Sequence, residues 1–529
     1  MRRMAAQPDV NLEGSGVRHQ RAEHGHEGGW ASVPKNRSLV AAIVLLAVAI
    51  GVIAAASPSP GIEAIAYAIA FGLFGVWAVW SEKRRWGDVG VVSPLSLYAI
   101  FWFLYYGIFG LGSFNQPNIE RLIGSQRELL IADGLALISL MLIAGAYVIT
   151  TRSHHPEAMT TSVSRRQGYV QAWAVYVCLA AGWAATVLGY AQGRIGYITA
   201  GVTYSGLSQN ILHAAIGLVS LGLVALAYIA WSDDPVSSMT KRHAKALLLA
   251  NVPLLVLAAL ASGLKAQLVS ELMPVAVMYV VLRKRFPWRA VGLIFLYLVI
   301  TYSGVQQFRT QVQIGQITSS GSGGITGLAR SVVSDTITSP TTAHPGTAVR
   351  NFWDHLTQEE NDAQVDLGSM IYQTPRNVPY VSPDRFLSGP LFFLPTSWIP
   401  DGTFNVGRYV SVTYAGSTAS SSSVDPQPGD FYMSGGIPAV IVGEITIGII
   451  LGFLWRSVMS SDVAGRRLIL YGVIAGNLAN AGADWVGLTR FMLQAVVVYG
   501  PITFVLVRAG KSVRGLSAQE GSVTVHRAA

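Results

Sequence analysis

Apolar runs long enough to cross a bilayer, with few or no charges, recur along this chain; Ser38–Ala56 and Asn210–Trp231 are two of them. A helix needs roughly 20 such residues to span the hydrocarbon layer. Hydrophobic residues make up 51% of the chain and charged residues 12%, about half the globular norm of roughly 25%. The pattern predicts an all-α polytopic membrane protein with about 12 transmembrane helices and one long extracytoplasmic loop carrying short helices. The spans fall near 38–56, 61–80, 91–112, 129–150, 169–190, 210–231, 247–264, 267–282, 290–306, 436–455, 468–481 and 491–508. The chain then divides into a disordered cytoplasmic tail (1–37), helices 1–9 (38–306), the loop (307–435), helices 10–12 (436–509) and a second cytoplasmic tail (510–529).

The formal net charge of +9 reflects topology and implies no nucleic-acid partner. Basic clusters at Lys83-Arg84-Arg85, Arg165-Arg166, Lys241-Arg242, Arg283-Lys284-Arg285 and Arg466-Arg467 alternate with short segments poor in Lys and Arg. Under the positive-inside rule the clusters are cytoplasmic, both termini are inside and the loop faces out. The single Cys178 excludes an intrachain disulfide. His24-Gly-His26-Glu27 belongs to the polar tail and is read as solvated chain rather than a metal site.

Between Gln306 and Gly435 the composition changes to polar, Gly-, Ser- and Pro-rich chain. A structureless loop of that length is uncommon in a folded protein. Thr318–Gly324 and Ser417–Ser423 read as flexible seams. The stretch Pro375–Asp401 instead concentrates aromatics and prolines, and is expected to be ordered on the membrane surface with Phe386, Phe392, Phe393 and Trp398 embedded. The loop carries six arginines, no lysine and ten acids, a net charge of −4. That excludes a generic patch for anionic lipid. It suits a site with cationic spots for phosphate and carboxylates for hydroxyls or base work, and equally a solvated loop with ordinary ion pairs.

Polar residues near the outer membrane face supply the candidate site. The turn Ser262-Gly-Leu-Lys265 puts Lys265 there, and Glu271 follows in the next span. Arg309 ends the ninth span, and Glu444 lies within the tenth. Carboxylates inside spans point at partners or cavities.

Ser262-Gly-Leu-Lys265 is similar to the Gly-x-Arg turn of the Wzy-type oligosaccharide repeat-unit polymerases (O-antigen polymerases), with Lys in the Arg position. Leu394-Pro395-Thr-Ser-Trp398-Ile-Pro400-Asp401 resembles their Pro-Arg-x-x-Trp-Pro segment, with Thr396 where Arg is common. Gly429-Asp430-Phe-Tyr432-Met-Ser-Gly435 resembles the entry into their next span. The resemblance implies transfer of a glycan from a polyprenyl-pyrophosphate carrier to an incoming lipid-linked repeat unit. The reaction would occur at the outer face of a bacterial plasma membrane, in contact with membrane lipid.

A chain-length regulator and a flippase are the implied protein partners. The pyrophosphate leaving group is already activated, so neither metal nor cofactor is required. Cationic donors would stabilise the departing pyrophosphate, with Arg309, Arg376 and Lys265 as candidates. Asp384, Asp430 or His355 would deprotonate the acceptor hydroxyl. Arg385, Trp398, Arg408, Tyr432, Glu271 and Glu444 are the candidates for holding the substrate.

Two competing readings carry other roles. An O-antigen-ligase-like transferase would use His344 or His355 with a loop arginine, and a polysaccharide transporter ranks behind it. A cysteine introduced at Ser420 is expected to react with an impermeant maleimide in intact cells, and one at Ser162 to be protected. The reverse pattern would overturn the assigned sidedness.

Overall fold

Inside a bilayer a backbone must satisfy its own hydrogen bonds, and helices do so within one segment. The computed structural model describes residues 60–113, 123–152, 168–192, 194–195, 207–233, 236–262, 265–288, 292, 362–388, 406–414, 426–459, 464–478 and 485–508. These are helical almost throughout. The expected span near 38–56, and that near 290–306 apart from residue 292, lie outside the described residues.

In chain order the helices are α1 (Pro60–Trp86), α2 (Pro94–Trp102), α3 (Gln126–Thr151), α4 (Ala172–Ala191), α5 (Leu207–Ile216), α6 (Leu218–Trp231), α7 (Lys241–Ser262) and α8 (Lys265–Arg283). After them come α9 (Asp362–Gln373), α10 (Pro383–Ser388), α11 (Val406–Thr413), α12 (Gln427–Met459), α13 (Ala464–Asn477), α14 (Trp485–Gln494) and α15 (Gly500–Leu506). A 3₁₀ turn at Gly87–Val92 follows α1. Helix α2 continues into a π-helical stretch, Phe103–Phe109, and a second one, Ala495–Tyr499, joins α14 to α15. Six stretches among the described residues are long and apolar enough to cross a membrane: Gly61–Val92, Gln126–Thr151, Ala172–Ala191, Ile211–Trp231, Gln427–Met459 and Gly487–Leu506. The chain is accordingly a mostly helical membrane protein.

Helices α3 and α12 pack closely because α12 presents Gly448 and Gly452 one turn apart. A Cβ at Gly448 would lie 2.4 Å from the Ile143 carbonyl oxygen, and one at Gly452 would lie 2.7 Å from Thr150 Cβ. Between membrane helices, where apolar burial supplies no driving force, such close van der Waals contact holds the pair together.

The loop boundary expected at 435/436 falls inside α12. Gly435 and Gly436 are non-helical there, and Gly436 has φ 66°, a left-handed conformation that glycine adopts without strain. The break folds Gln427–Ser434 back along the span, so that the Phe431 ring lies over Gly443, 2.6 Å from where a Cβ would stand.

Basic side chains collect at one end of the bundle and hydrogen-bond helix-terminal carbonyls. Arg85 donates to the Thr151 carbonyl and, at 2.6 Å, to its hydroxyl. Arg456 reaches the Thr150 carbonyl at 3.3 Å and Arg466 the Val507 carbonyl at 2.7 Å. At the same end, strand β1 (Tyr169–Val170) pairs antiparallel with β2 (Val507–Arg508), and Val170 also bridges Ser237. This ties the start of α4 to the ends of α6 and α15. The last carbonyls of a helix have no partner within the helix, and these arginines supply one.

Gly448→Ala is expected to lower the unfolding free energy in detergent by about 1–3 kcal/mol, as overpacking does. Gly145→Ala on α3, where a Cβ meets nothing within 4 Å, is expected to be neutral or slightly stabilising. Thermal unfolding of both variants checks this.

Candidate functional site

Three of the sequence-derived candidates, Arg309, His355 and Trp398, lie outside the described residues, as does His344. Lys265 and Glu271 fall on α8 and Arg408 on α11, with their side chains outside the described set. Arg376 is exposed in the turn after α9, 3.9 Å from Glu128 of α3 and with its guanidinium 5.2 Å from the Tyr372 ring centre. Tyr432, half-buried on the folded-back start of α12, lies within electrostatic reach of Arg376, Glu128 and Tyr380. The structure therefore brings Arg376 and Tyr432 together.

Asp384 and Arg385 are exposed on α10. The Ser382 hydroxyl donates to the Asp384 carboxylate and holds it below the usual carboxylate range. A carboxylate so held is a weaker base than a free one.

Phe386 is buried, but not in the membrane surface expected from the sequence. It packs into a core made by the loop itself, with Met370, Val378, Val381, Val406, Val410, Tyr414 and Met433. Tyr414 is fixed there by a 2.8 Å hydrogen bond with Thr374, and burial pushes its hydroxyl up to about 12. Phe392 and Phe393 lie outside the described residues.

Asp430 and Glu444 enter a buried polar cluster where the loop helices meet the spanning helices. Glu444 on α12 is fully buried, and Gln427 Nε2 donates to its Oε2 at 2.6 Å. The same amide accepts through Oε1 from the Tyr98 hydroxyl of α2 at 2.7 Å. On the other side, Gln364 Nε2 of α9 donates to Asp133 Oδ2 of α3 at 2.6 Å. Tyr106, in the π-helical stretch, lies within electrostatic reach of Glu444, Asp133 and Asp430.

Aromatic rings in contact form one wall of this cluster. Tyr98 and Trp102 have ring centres 6.4 Å apart, and Trp102 and Tyr106 are 5.2 Å apart. Among the described residues neither Asp133 nor Glu444 forms an ion pair, so neutral amides hold both carboxyls. Among the described residues, Asp133 Oδ1, Gln364 Oε1 and the Tyr106 hydroxyl are buried without a hydrogen-bond partner. Buried polar atoms in that state are uncommon and cost about 1–3 kcal/mol each, so they mark a place that needs explanation. Chemically, such a cluster can accept, hold and release a proton away from bulk water. Among the described residues no group of three or more His, Cys, Asp or Glu is arranged to hold a metal ion.

The sequence reading passed over Asp133, Gln364, Gln427, Tyr98 and Tyr106. Asp133 carried a usable signal, since it is the lone acid in the apolar run Leu129–Val148. The two glutamines carried none, because an amide in a polar loop is unremarkable until its carboxylate partner is known.

No family model matches the chain, and comparisons with curated proteins and with solved structures likewise return no match. The site has to be read from its own chemistry.

Gln427→Ala and Glu444→Ala each leave a buried polar group without its partner. Each is expected to cost about 1–3 kcal/mol of unfolding free energy, and a double-mutant cycle should give a coupling of about 0.5–3 kcal/mol. Strict additivity would remove the interaction from the account.

Proposed function

We propose that the protein is a glycosyltransferase that joins polyprenyl-pyrophosphate-linked repeat units into a surface polysaccharide at the outer face of a bacterial plasma membrane. In this reading it has about 12 spans, cytoplasmic termini and an extracytoplasmic loop. The observation that carries the proposal is where the loop docks. Its helix α9 and the folded-back start of α12 close over the spanning helices and deliver Gln364 and Gln427 to the carboxyls Asp133 and Glu444, and Asp430 to the surroundings of Tyr106. The site lies at the end of the bundle opposite the basic clusters, which the positive-inside rule makes the outer end.

In the reaction, the acceptor hydroxyl attacks the anomeric carbon of the lipid-linked glycan, and the bond from that carbon to the pyrophosphate oxygen breaks. The hydroxyl proton passes to the carboxylate cluster and from there to solvent. The departing pyrophosphate carries the electron pair and is met by cations, with Arg376, Arg309 and Lys265 as the candidates. The exposure of Arg376 beside Tyr432 supports this role for it.

One observation favours a second reading, a proton-coupled polysaccharide transporter. The break at Gly435–Gly436 beside buried carboxyls is a feature that transporters use at their binding sites.

Asp133→Asn, Glu444→Gln and Arg376→Ala are expected to lower polymer yield by about 10²–10³-fold at unchanged protein level, with single lipid-linked repeat units accumulating outside. Accumulation of full-length lipid-linked polymer would instead assign a ligase. Repeat units trapped at the inner face would assign the transporter.

A further inference from the structure

The contact between Asp133 of spanning helix α3 and Gln364 of loop helix α9 satisfies only half of each side chain. Gln364 Nε2 donates to Asp133 Oδ2 at 2.6 Å. Among the described residues, Asp133 Oδ1 and Gln364 Oε1 have no hydrogen-bond partner, and neither does the Tyr106 hydroxyl. Asp133 and Tyr106 are each 1% exposed and Gln364 is 0% exposed. Bulk water therefore does not solvate these oxygens.

The three groups lie together. Tyr106 is within electrostatic reach of Asp133. Gly110 follows Tyr106 by four residues in the same helical run, and residues so spaced are neighbours on a helix surface. A Cβ at Gly110 would stand 3.1 Å from Gln364 Oε1, so the unsatisfied amide oxygen is held against the face that carries Tyr106. That face belongs to the π-helical stretch Phe103–Phe109. Such stretches are rare and recur at functional sites.

Charge decides what such a place binds. The titratable groups around Asp133 are Tyr106, with Glu444 and Asp430 of α12 beyond it, and Tyr67 of α1, with Glu63 beyond it. Helix α9 adds Asp362 and Asp366. All are acids or phenols, so none balances a carboxylate, and an unbalanced buried carboxylate is strongly unfavourable. A neutral water would satisfy the oxygens and leave the charge, whereas one positive charge answers both. Carboxylate, amide and hydroxyl oxygens are ligands for hard cations. Among the described residues no group of three or more acidic, His or Cys side chains is arranged to hold a metal, so the site suits a single charge rather than a divalent ion. We propose that Asp133, Gln364 and Tyr106 bind one monovalent cation, supplied either as a sodium ion or as a hydrated proton. The proposal does not depend on glycosyl transfer at the carboxylate cluster.

The full-length protein, placed in nanodiscs of phosphatidylcholine, is titrated with sodium chloride against choline chloride at constant ionic strength and mildly alkaline pH. Tryptophan fluorescence follows thermal unfolding. A ligand that binds only the folded state raises the midpoint saturably. A second series omits sodium and lowers the pH from mildly alkaline to mildly acidic. Sodium as occupant gives a saturable rise in the first series, and a hydrated proton gives a rise on acidification in the second. Asp133→Asn keeps the shape and removes the charge. It is expected to weaken the sodium response about tenfold or more, the scale of one lost interaction with a charged group, and to lack the proton-linked rise.

The series that responds identifies the cation, and a site taking both shows a sodium affinity that falls on acidification. Tyr106→Phe removes one ligand oxygen and keeps the carboxylate, so it should fall between wild type and Asp133→Asn. It carries the measurement if Asp133→Asn does not fold. A wild type that responds in neither series, or responses equal in wild type and every variant that folds, would overturn the proposal and leave these oxygens to neutral water.

Discussion

A carboxylic acid buried among membrane helices needs a hydrogen-bond donor, and the donor to Glu444 determines much else in this structure. It is the side-chain amide of Gln427, 17 residues earlier on the same helix. A straight helix would place residues 17 apart about 25 Å apart along its axis. The two meet only because the chain reverses at Gly435–Gly436, where Gly436 occupies the left-handed region. From that reversal it follows that the end of the loop is packed on the span, that Asp430 is buried, and that Tyr98 finds an acceptor in the same amide.

The close α3–α12 contact supports this arrangement from the other side. Gly448 and Gly452 let the helices approach until backbone meets side chain. That brings α3, and with it Asp133, alongside the span that carries Glu444. Helix α9 of the loop then completes the cluster by offering Gln364 to Asp133. The polar site is thus built from two helices that approach without large side chains and from two amides supplied by the loop.

Both π-helical stretches lie at polar sites. One places Tyr106 beside the buried carboxyls, and the other places Tyr499 in the wall of a cavity shared with Arg490 and His213. The basic clusters collect at the far end, where arginines hydrogen-bond terminal carbonyls of α3 and of β2 after α15. The basic residues gathered at this end therefore also close helix ends.

The membrane class was legible in the sequence because it rests on local quantities: uninterrupted apolar length and scarcity of charge. Glu444 and Asp430 stood out as well, since a carboxyl within or beside an apolar run is conspicuous. So, on the same criterion, is Asp133. The partners of these acids were not legible. Gln364 is 231 positions from Asp133, and Tyr98 is 329 from Gln427. No local pattern marks which glutamine of a polar loop will meet which span.

The burial of Phe386 was foreseeable from its apolar surface, but its destination was not. A short helix with one large aromatic gains as much from a core of its own loop as from a membrane surface, and only the folding of α9, α10 and α11 together chose the former. The Arg490–His213 cavity belongs to the same category. Its residues are scattered from position 213 to position 499 and are individually ordinary. Hydrophobic length fixed how this chain meets the membrane, whereas helix packing and one glycine reversal decided which polar groups meet each other.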